Sequence, residues 1–317
     1  MEGRDSDIPR LDLTVLMGGP SAEREVSLWS GTAVADALES VGHKVTRSDI
    51  SPTNASALDR EGIDAVFIAM HGAFGESGEV QQLCENRNLP YVGSEPRPSR
   101  LCMNKAATKQ FLRQANLPTP DWMIIESFHA PATYQPWLAE LPVPVVVKPV
   151  DGGSSVDVTI ARDESTRDEK IGELIEIYGR VMLERFVEGR EMTVGILDDQ
   201  ALPICEILPD GAFYDYRAKY SDDAATRYIF DHGLDASTTE TMQSMALAAH
   251  RCLGCRDMSR VDFILDPQNQ PHILEINTIP GFTSHSLLPK AAAEAGVDFA
   301  GLCDRLVQLA WARAARP

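Results

Sequence analysis

No stretch of the 317 residues approaches the roughly 20 consecutive apolar side chains that a membrane-spanning helix needs, so a bilayer span is excluded. The opening Met1-Glu-Gly-Arg-Asp-Ser-Asp-Ile-Pro-Arg10 has no apolar core either, which reads against a secretory signal and makes a cytoplasmic location the expectation. Positive charge is scarce: 29 Lys and Arg stand against 47 Asp and Glu, a net −18 that disfavours nonspecific binding to nucleic acid or to an anionic membrane. ATP stays open as a ligand, because a few lysines, an arginine and Mg²⁺ neutralise phosphates locally. The 6 cysteines, at 84, 102, 205, 252, 255 and 303, are scattered. Cys252-Leu-Gly-Cys255 has CxxC spacing, but no second pair completes a zinc site, and its place at the end of an apolar helix pattern predicts reduced, partly buried thiols. The sequence has no internal repeat, no low-complexity segment and no Walker A loop. A Gly-x-Gly-x-x-Gly fingerprint is missing after the first strand, which rejects a dinucleotide-binding dehydrogenase.

What is present reads as a soluble α/β protein, 44% apolar and 24% charged, long enough for two or three domains. Leu11–Met17 is a buried-type strand ending in Gly18-Gly19-Pro20, and Ser21 reads as the cap of a helix running to about Val41. Val66–Met70 is the next strand, followed by His71-Gly-Ala-Phe-Gly-Glu-Ser-Gly78. Such alternation predicts a parallel sheet with ligands beyond the carboxyl ends of its strands. Pro96 and Pro98 mark a candidate boundary before a helix over about Met103–Ala115. A small strand-rich unit holds Val143–Lys148, a helix over Thr166–Tyr178 and Val181–Phe186. From Gly189 a third unit holds strands Thr193–Leu197 and Ile204–Leu208, helices over 237–253 and 298–314, and the stretch Phe213-Tyr-Asp-Tyr-Arg-Ala-Lys-Tyr220. The divisions expected are therefore 1–102, 103–187 and 188–317.

Chemistry concentrates in Arg260-Val-Asp-Phe and in His272-Ile-Leu-Glu-Ile-Asn-Thr-Ile-Pro-Gly281. Two apolar runs, Val261–Leu265 and Ile273–Ile276, flank the turn-rich Asp266–Pro271 and read as a β-hairpin. Alternation puts Asp262, Glu275 and Asn277 on one face, an oxygen set suited to Mg²⁺ shared with phosphates. Lys148 ends a strand containing three consecutive valines, and a buried ammonium there needs an anionic partner. Gly152-Gly-Ser-Ser155 follows it with flexible N–H donors. A solvated face would account for Lys105 alone, but together these features describe a nucleotide held between two sheets.

At these residues the chain resembles the D-alanine–D-alanine ligases of the ATP-grasp superfamily. The similarity runs in order through Gly18–Leu28, His71–Gly78, Leu89–Ser94, Leu117–Pro120, Val147–Pro149, Ser154–Val156, Gly189–Glu191, Phe213–Tyr220 and Arg260–Pro289. It implies a Rossmann-like N-terminal substrate domain followed by a two-part ATP-grasp fold, α+β in its ATP-binding part. By the same resemblance Lys105 and Lys148 bind ATP phosphates under the loop carrying Ser154 and Ser155. Glu184, Arg185, Phe186 and Val187 line the adenine pocket, Glu191 meets the ribose, and Phe213 and Lys219 complete the nucleotide site. Asp262, Glu275 and Asn277 hold two Mg²⁺ or Mn²⁺ ions. Glu23 takes the ammonium of the first D-alanine, with Val26 and His71 beside it, and Ser286 and Leu287 take the carboxylate of the second. Tyr220 connects with Ser154 and Glu23 and favours an amino-acid nucleophile over a hydroxy acid. Arg260 and Gly281 face the tetrahedral oxyanion that forms when the second D-alanine attacks an acyl phosphate. A homodimer and peptidoglycan-precursor synthesis are further implications.

Five positions depart from the family pattern: Ser77 and Asn104 stand where aspartate is usual, Gly152 where an acid is usual, and Asp157 and Asp257 where glycine is usual. The last two face glycine-like backbone conformations that, among larger residues, Asn and Asp visit most readily. The competing readings are an ATP-grasp ligase for another amino-acid pair and a weakly active or non-catalytic nucleotide-binding relative.

Overall fold

The computed structural model describes residues 9–153, 156–208, 226–283 and 286–314. Three sheets organise them. The first is parallel, with order β2-β1-β3, from β1 (Asp12–Met17), β2 (Lys44–Asp49) and β3 (Ala65–Ile68). All of β3 and nearly all of β1 are buried, as the apolar runs of a parallel sheet require, whereas β2 is a polar edge. Helix α1 (Arg24–Ser40) follows β1 and covers this sheet.

The expected helix start at Ser21 is corrected. Glu23 occupies the N-cap without a side-chain cap bond, while Ser21 Oγ donates to the His71 carbonyl at 2.8 Å and accepts from the Glu23 N–H at 3.2 Å. Ser21 thus ties the two glycine-rich segments together. Short helices α2 (Ala73–Glu76) and α3 (Glu79–Glu85) follow β3. Pro96 and Pro98 lie in the first turn of α4 (Pro96–Met103) rather than in a linker, because a helix start needs no N–H from proline. α5 (Lys105–Gln114) begins directly after it, capped by the Asn104 side chain, which accepts the Ala107 N–H at 2.9 Å.

The second sheet is antiparallel, ordered β4-β7-β5-β6, from β4 (Trp122–Glu126), β5 (Val145–Pro149), β6 (Thr159–Ala161) and β7 (Arg180–Arg185). Between β4 and β5 lies a short helical turn, α6 (Pro131–Tyr134), and α7 (Glu164–Tyr178) packs on the sheet to close a separate core around Ile125, Val147, Ile171 and Leu183. The third sheet, ordered β10-β9-β8-β11-β12, is built from β8 (Arg190–Leu197), β9 (Gln200–Leu208), β10 (Arg227–Ile229), β11 (Met258–Leu265) and β12 (Pro271–Asn277). Helices α4, α5 and α8 (Ala236–Cys252) share a core with it. Helices α9 (Leu287–Glu294) and α10 (Phe299–Ala314) complete the described chain.

One core joins the two ends of the sequence. Leu13, Val15 and Phe67 of the parallel sheet pack with Leu197, Phe282, Leu288 and Leu306. The Phe67 and Phe282 rings meet edge to face at 5.2 Å. No helix among the described residues is long and apolar enough to cross a membrane.

Candidate active site

The hairpin expected at Arg260–Asn277 is β11 and β12, with Asp262 opposite Glu275 and Arg260 opposite Asn277. A bulge at Leu274 follows the Asp262–Glu275 pair, and the alternation of burial along β12 breaks at Leu274 and Glu275. Residues two apart on a strand share a face, and opposite residues share it across the ladder. The pairing therefore puts Arg260, Asp262, Glu275 and Asn277 on one face. Arg260 is held in a fork on Asp262, with Nε to Oδ1 at 2.8 Å and Nη2 to Oδ2 at 2.7 Å. Thr193 Oγ1 donates to the same Asp262 Oδ1 at 2.6 Å. Asn277 Oδ1 accepts the Ile279 N–H at 3.0 Å, shaping the turn that leads to Gly281.

A cleft of about 390 Å³ lies between the second and third sheets. Lys105, Lys148, Glu184, Arg185, Phe186, Val187, Glu191, Asp262 and Glu275 all line it, together with the apolar Val146, Ile160, Ile264 and Leu274. A smaller cavity of about 100 Å³ adjoins it and is lined by Glu23, His71, Arg260, Asn277, Gly281, Ser286 and Leu287. Lys105, Gly152, Gly153 and Glu275 border both spaces. Among the predicted residues Val26 is buried on α1 and borders neither cavity. Ser154, Ser155, Phe213, Lys219 and Tyr220 fall outside the described residues.

Each cation is positioned by a local cause. Lys105 sits in the first turn of α5, its N–H bonded to the Val150 carbonyl at 3.0 Å and its Nζ to the Gly152 carbonyl at 2.5 Å. Burial pulls its ammonium below the usual lysine range, against the opposing pull of Glu275, whose Oε2 lies 3.9 Å away. Lys148 has the anionic partner that its buried strand required: Nζ donates to Glu184 Oε1 at 2.6 Å. The Glu184 carboxylate, expected at the adenine pocket, is thus occupied by lysines, because Lys109 meets its other oxygen. Burial pushes that carboxyl up, but Lys148 and Lys109 outweigh it and hold it below the ordinary range.

The smaller cavity has a polar floor. His71 Nε2 lies 3.1 Å from Ser30 Oγ, and Nδ1 lies 3.5 Å from Glu76 Oε1. Gly72 N–H donates to Glu76 Oε2 at 3.2 Å. Burial pushes the Glu76 carboxyl up, opposed by its hydrogen bond with His71. Sequence reading passed over Glu76, although it lies inside the quoted His71–Gly78 block. It also missed Tyr228 on the cavity wall, which stands on a three-residue strand with no periodic signal of its own.

The departures from the family pattern have local explanations. Asn104 Nδ2 donates to Asp151 Oδ1 at 3.1 Å, and Arg180 pairs with the other oxygen of that carboxylate, so the loop keeps an anchored acid one residue before Gly152. An aspartate at 104 would face Asp151 with like charge. Gly152 itself is at φ 112°, a conformation closed to most side chains. Asp157 and Asp257 adopt φ 57° and 62°, the left-handed region expected for glycine. Asp157 accepts a hydrogen bond from Tyr178 Oη at 2.5 Å. Asp257 Oδ2 accepts the Gly93 N–H at 2.8 Å, and both its oxygens bind the Arg313 guanidinium. Arg260 keeps its place on Asp262 three residues further on. Ser77 closes α2, its N–H bonded to the Ala73 carbonyl.

The scattered thiols behave largely as read. Cys252 and Cys255 are half-buried and unbridged. Cys255 Sγ instead lies 3.6 Å from Cys102 Sγ at the end of α4, a contact between distant parts of the chain.

Comparison with known proteins matches the C-terminal model of the D-ala D-ala ligase family over residues 111–308 and its N-terminal model over residues 43–94. A D-alanine–D-alanine ligase of Synechococcus sp. is 40% identical over 309 residues, covering 96% of this chain and 95% of its own. The crystal structure of a D-alanine–D-alanine ligase from Bacillus anthracis complexed with ATP superposes with a TM-score of 0.85 at 31% identity, over 97% of this chain and 99% of that one. The VanG D-Ala:D-Ser ligase of Enterococcus faecalis superposes with a TM-score of 0.83 at 26% identity, covering 95% of this chain and 99% of that one. With both family models and near full-length relatives in agreement, the chain belongs to the D-alanine–D-alanine ligase family.

Proposed function

We propose that the larger cleft holds ATP, that the smaller cavity holds two D-alanines, and that the protein joins them into D-alanyl-D-alanine for peptidoglycan precursors. The observation that carries this reading is the shared border. A cleft lined by two lysines and apolar strand residues meets a cavity lined by three acids, a histidine and an arginine, and the two share Lys105 and Glu275. The shared wall sets a phosphate in one space beside a carboxylate in the other.

A carboxylate resists attack by an amine until its oxygen becomes a good leaving group, and transfer of the γ-phosphate supplies that. Lys105 and Lys148 balance charge on the phosphates, and Arg185–Val187 and Glu191 lie on the nucleoside side, while the Glu184 carboxylate is held by Lys148 and Lys109 rather than by the base. Glu23 anchors the ammonium of the first D-alanine, and Ser286 with Leu287 anchors the carboxylate of the second. Arg260, steadied by Asp262, and the Gly281 N–H face the oxyanion of the tetrahedral intermediate. Each such donor contributes about 3–4 kcal/mol in well-studied cases. Ser154, Ser155, Phe213, Lys219 and Tyr220 belong to the covering loops in this reading, and exclusion of water protects the acyl phosphate. Asp262, Glu275 and Asn277 fit Mg²⁺ or Mn²⁺, since they offer few hard oxygens on one strand face and leave further positions to phosphate oxygens. Bound there, the metal supplies Lewis-acid neutralisation of phosphate charge. The division at 102 and 187, a cytoplasmic location and a homodimer through the N-terminal part complete the proposal.

Phosphate release from ATP and Mg²⁺, with D-alanine, L-alanine, D-serine or D-lactate added in turn, tests it. Stimulation by D-alanine with a dipeptide product is expected. ATP binding without stimulation by any of them would leave a nucleotide-binding relative, and preference for D-serine in the second position would make it a ligase of another pair.

A further inference from the structure

Lys109 takes no part in the chemistry described so far and borders neither cavity, yet its side chain is 0% exposed. It stands one helical turn after Lys105 on α5. Its Nζ donates to Thr119 Oγ1 at 2.6 Å and to the Pro120 carbonyl at 3.2 Å, and it lies 5.5 Å from the centre of the Trp122 ring. It also forms an ion pair with Glu184 Oε2, while Lys148 holds Oε1 of the same carboxylate. Two ammonium groups thus share one buried carboxylate, and only one of them, Lys148, faces the nucleotide cleft.

We propose that Lys109 is a positioning residue for the nucleotide: by neutralising Glu184 from behind, it leaves the charge of Lys148 available to a phosphate. The inference rests on the reading of the larger cleft as an ATP site. Without Lys109, Glu184 and Lys148 form a closed neutral pair, and Lys148 has to surrender its only buried counter-charge to meet an anion. With Lys109 the group carries a net +1 that is expressed on the cleft side. Burial pulls the Lys109 ammonium down to about 8, which still leaves it mostly charged at neutral pH. A purely structural reading assigns Lys109 to fastening α5 to the Thr119–Pro120 segment. That reading predicts general destabilisation with no preference for phosphate.

The test measures ATP and adenosine affinity, by calorimetry or competition, in the full-length protein, in Lys109→Met and in Lys109→Met/Glu184→Gln. Removing one unit charge about 8–12 Å from a phosphate charge, at an effective dielectric near 20, weakens phosphate binding roughly ten- to thirtyfold. The expectation is that loss for ATP in Lys109→Met, adenosine affinity held within about threefold, and recovery of most of the ATP affinity in the double variant, where Lys148 is again unshared. A folded Lys109→Met with unchanged ATP affinity overturns the proposal. Parallel loss of ATP and adenosine, or a double variant that does not recover, assigns Lys109 to structure and overturns it too. If Lys109→Met does not fold, Glu184→Gln alone decides: ATP affinity is retained or raised relative to adenosine, and a selective fall for ATP overturns the proposal. Failure of the unmodified protein to bind ATP removes the underlying reading instead.

Discussion

Replacing Asp257 by glycine restores the residue usual in the family and separates backbone comfort from side-chain anchoring. At φ 62° the aspartate occupies left-handed space, which costs a non-glycine residue about 1 kcal/mol. Against that gain the variant loses the acceptor of the buried Gly93 N–H, and an orphaned buried donor costs about 1–3 kcal/mol. It also loses the fork with Arg313, whose side chain is 32% exposed and keeps its bond to the Tyr91 carbonyl at 2.8 Å. Solvent screening limits that loss to about 1 kcal/mol. The net expectation for Asp257→Gly is destabilisation of about 2 kcal/mol, read as a lower midpoint in urea unfolding at constant slope. Turnover of the folded protein stays within about twofold, because Arg260 is set by its fork on Asp262 and by the pairing of β11 rather than by residue 257. A variant as stable as the parent would show that the side-chain anchors contribute nothing beyond the strain they offset. Unchanged stability with lost turnover would show that Asp257 acts on the arginine after all.

Three further outcomes are expected. Arg260→Ala lowers kcat by about 10²–10³ through the lost oxyanion donor while ATP affinity is kept, and retained turnover in dipeptide assays would remove that role. Gly72→Ala loses about 1–2 kcal/mol of stability from its positive φ and raises KM for D-alanine, since a Cβ there would lie 2.5 Å from the Ser21 Cβ and 3.3 Å from Glu23 Oε2; an unaltered KM would separate this turn from the first-substrate pocket. Burial pulls the imidazole of His250, which sits 2.7 Å from Ser259 Oγ, down to about 4 from an ordinary 6.5. The unfolded chain therefore binds the extra proton between those values, and stability that is complete above about pH 6.5 is lost as pH falls toward 4. The loss from pH 7 to pH 5 is about 2 kcal/mol; urea unfolding at both pH values should show a shallower slope for His250→Asn, and an equal slope would acquit the histidine.

The hairpin at Arg260–Asn277 was legible because alternation and a turn with two prolines and an asparagine are local signals, and the lysine-bearing strand because three valines imply burial. The anion demanded by Lys148 was legible as a need but not as Glu184, 36 residues away. Lys109 was invisible for the same reason: nothing around it in sequence marks a buried charge. Strand β2, Lys-Val-Thr-Arg-Ser-Asp, carries one aliphatic residue and owes its state to pairing with β1. Ser21 had the composition of a helix cap, but a hydroxyl serves any nearby carbonyl, and here that of His71 wins. The left-handed backbone at Asp157 and Asp257 followed from the glycine usual there, whereas the partner Arg313, 56 residues on, did not.

The core in which Phe67 meets Phe282 and Leu306 also sets a timetable for synthesis. Strand β3 ends at Ile68, whereas helix α10, which covers the same sheet, begins at Phe299. At about 5–20 residues per second, a ribosome exposes that half-covered sheet for roughly 10–50 s before its lid is translated. The parallel β1–β3 face is thus an apolar surface awaiting a late partner, and chaperone demand during translation follows from the order of the chain rather than from its final stability.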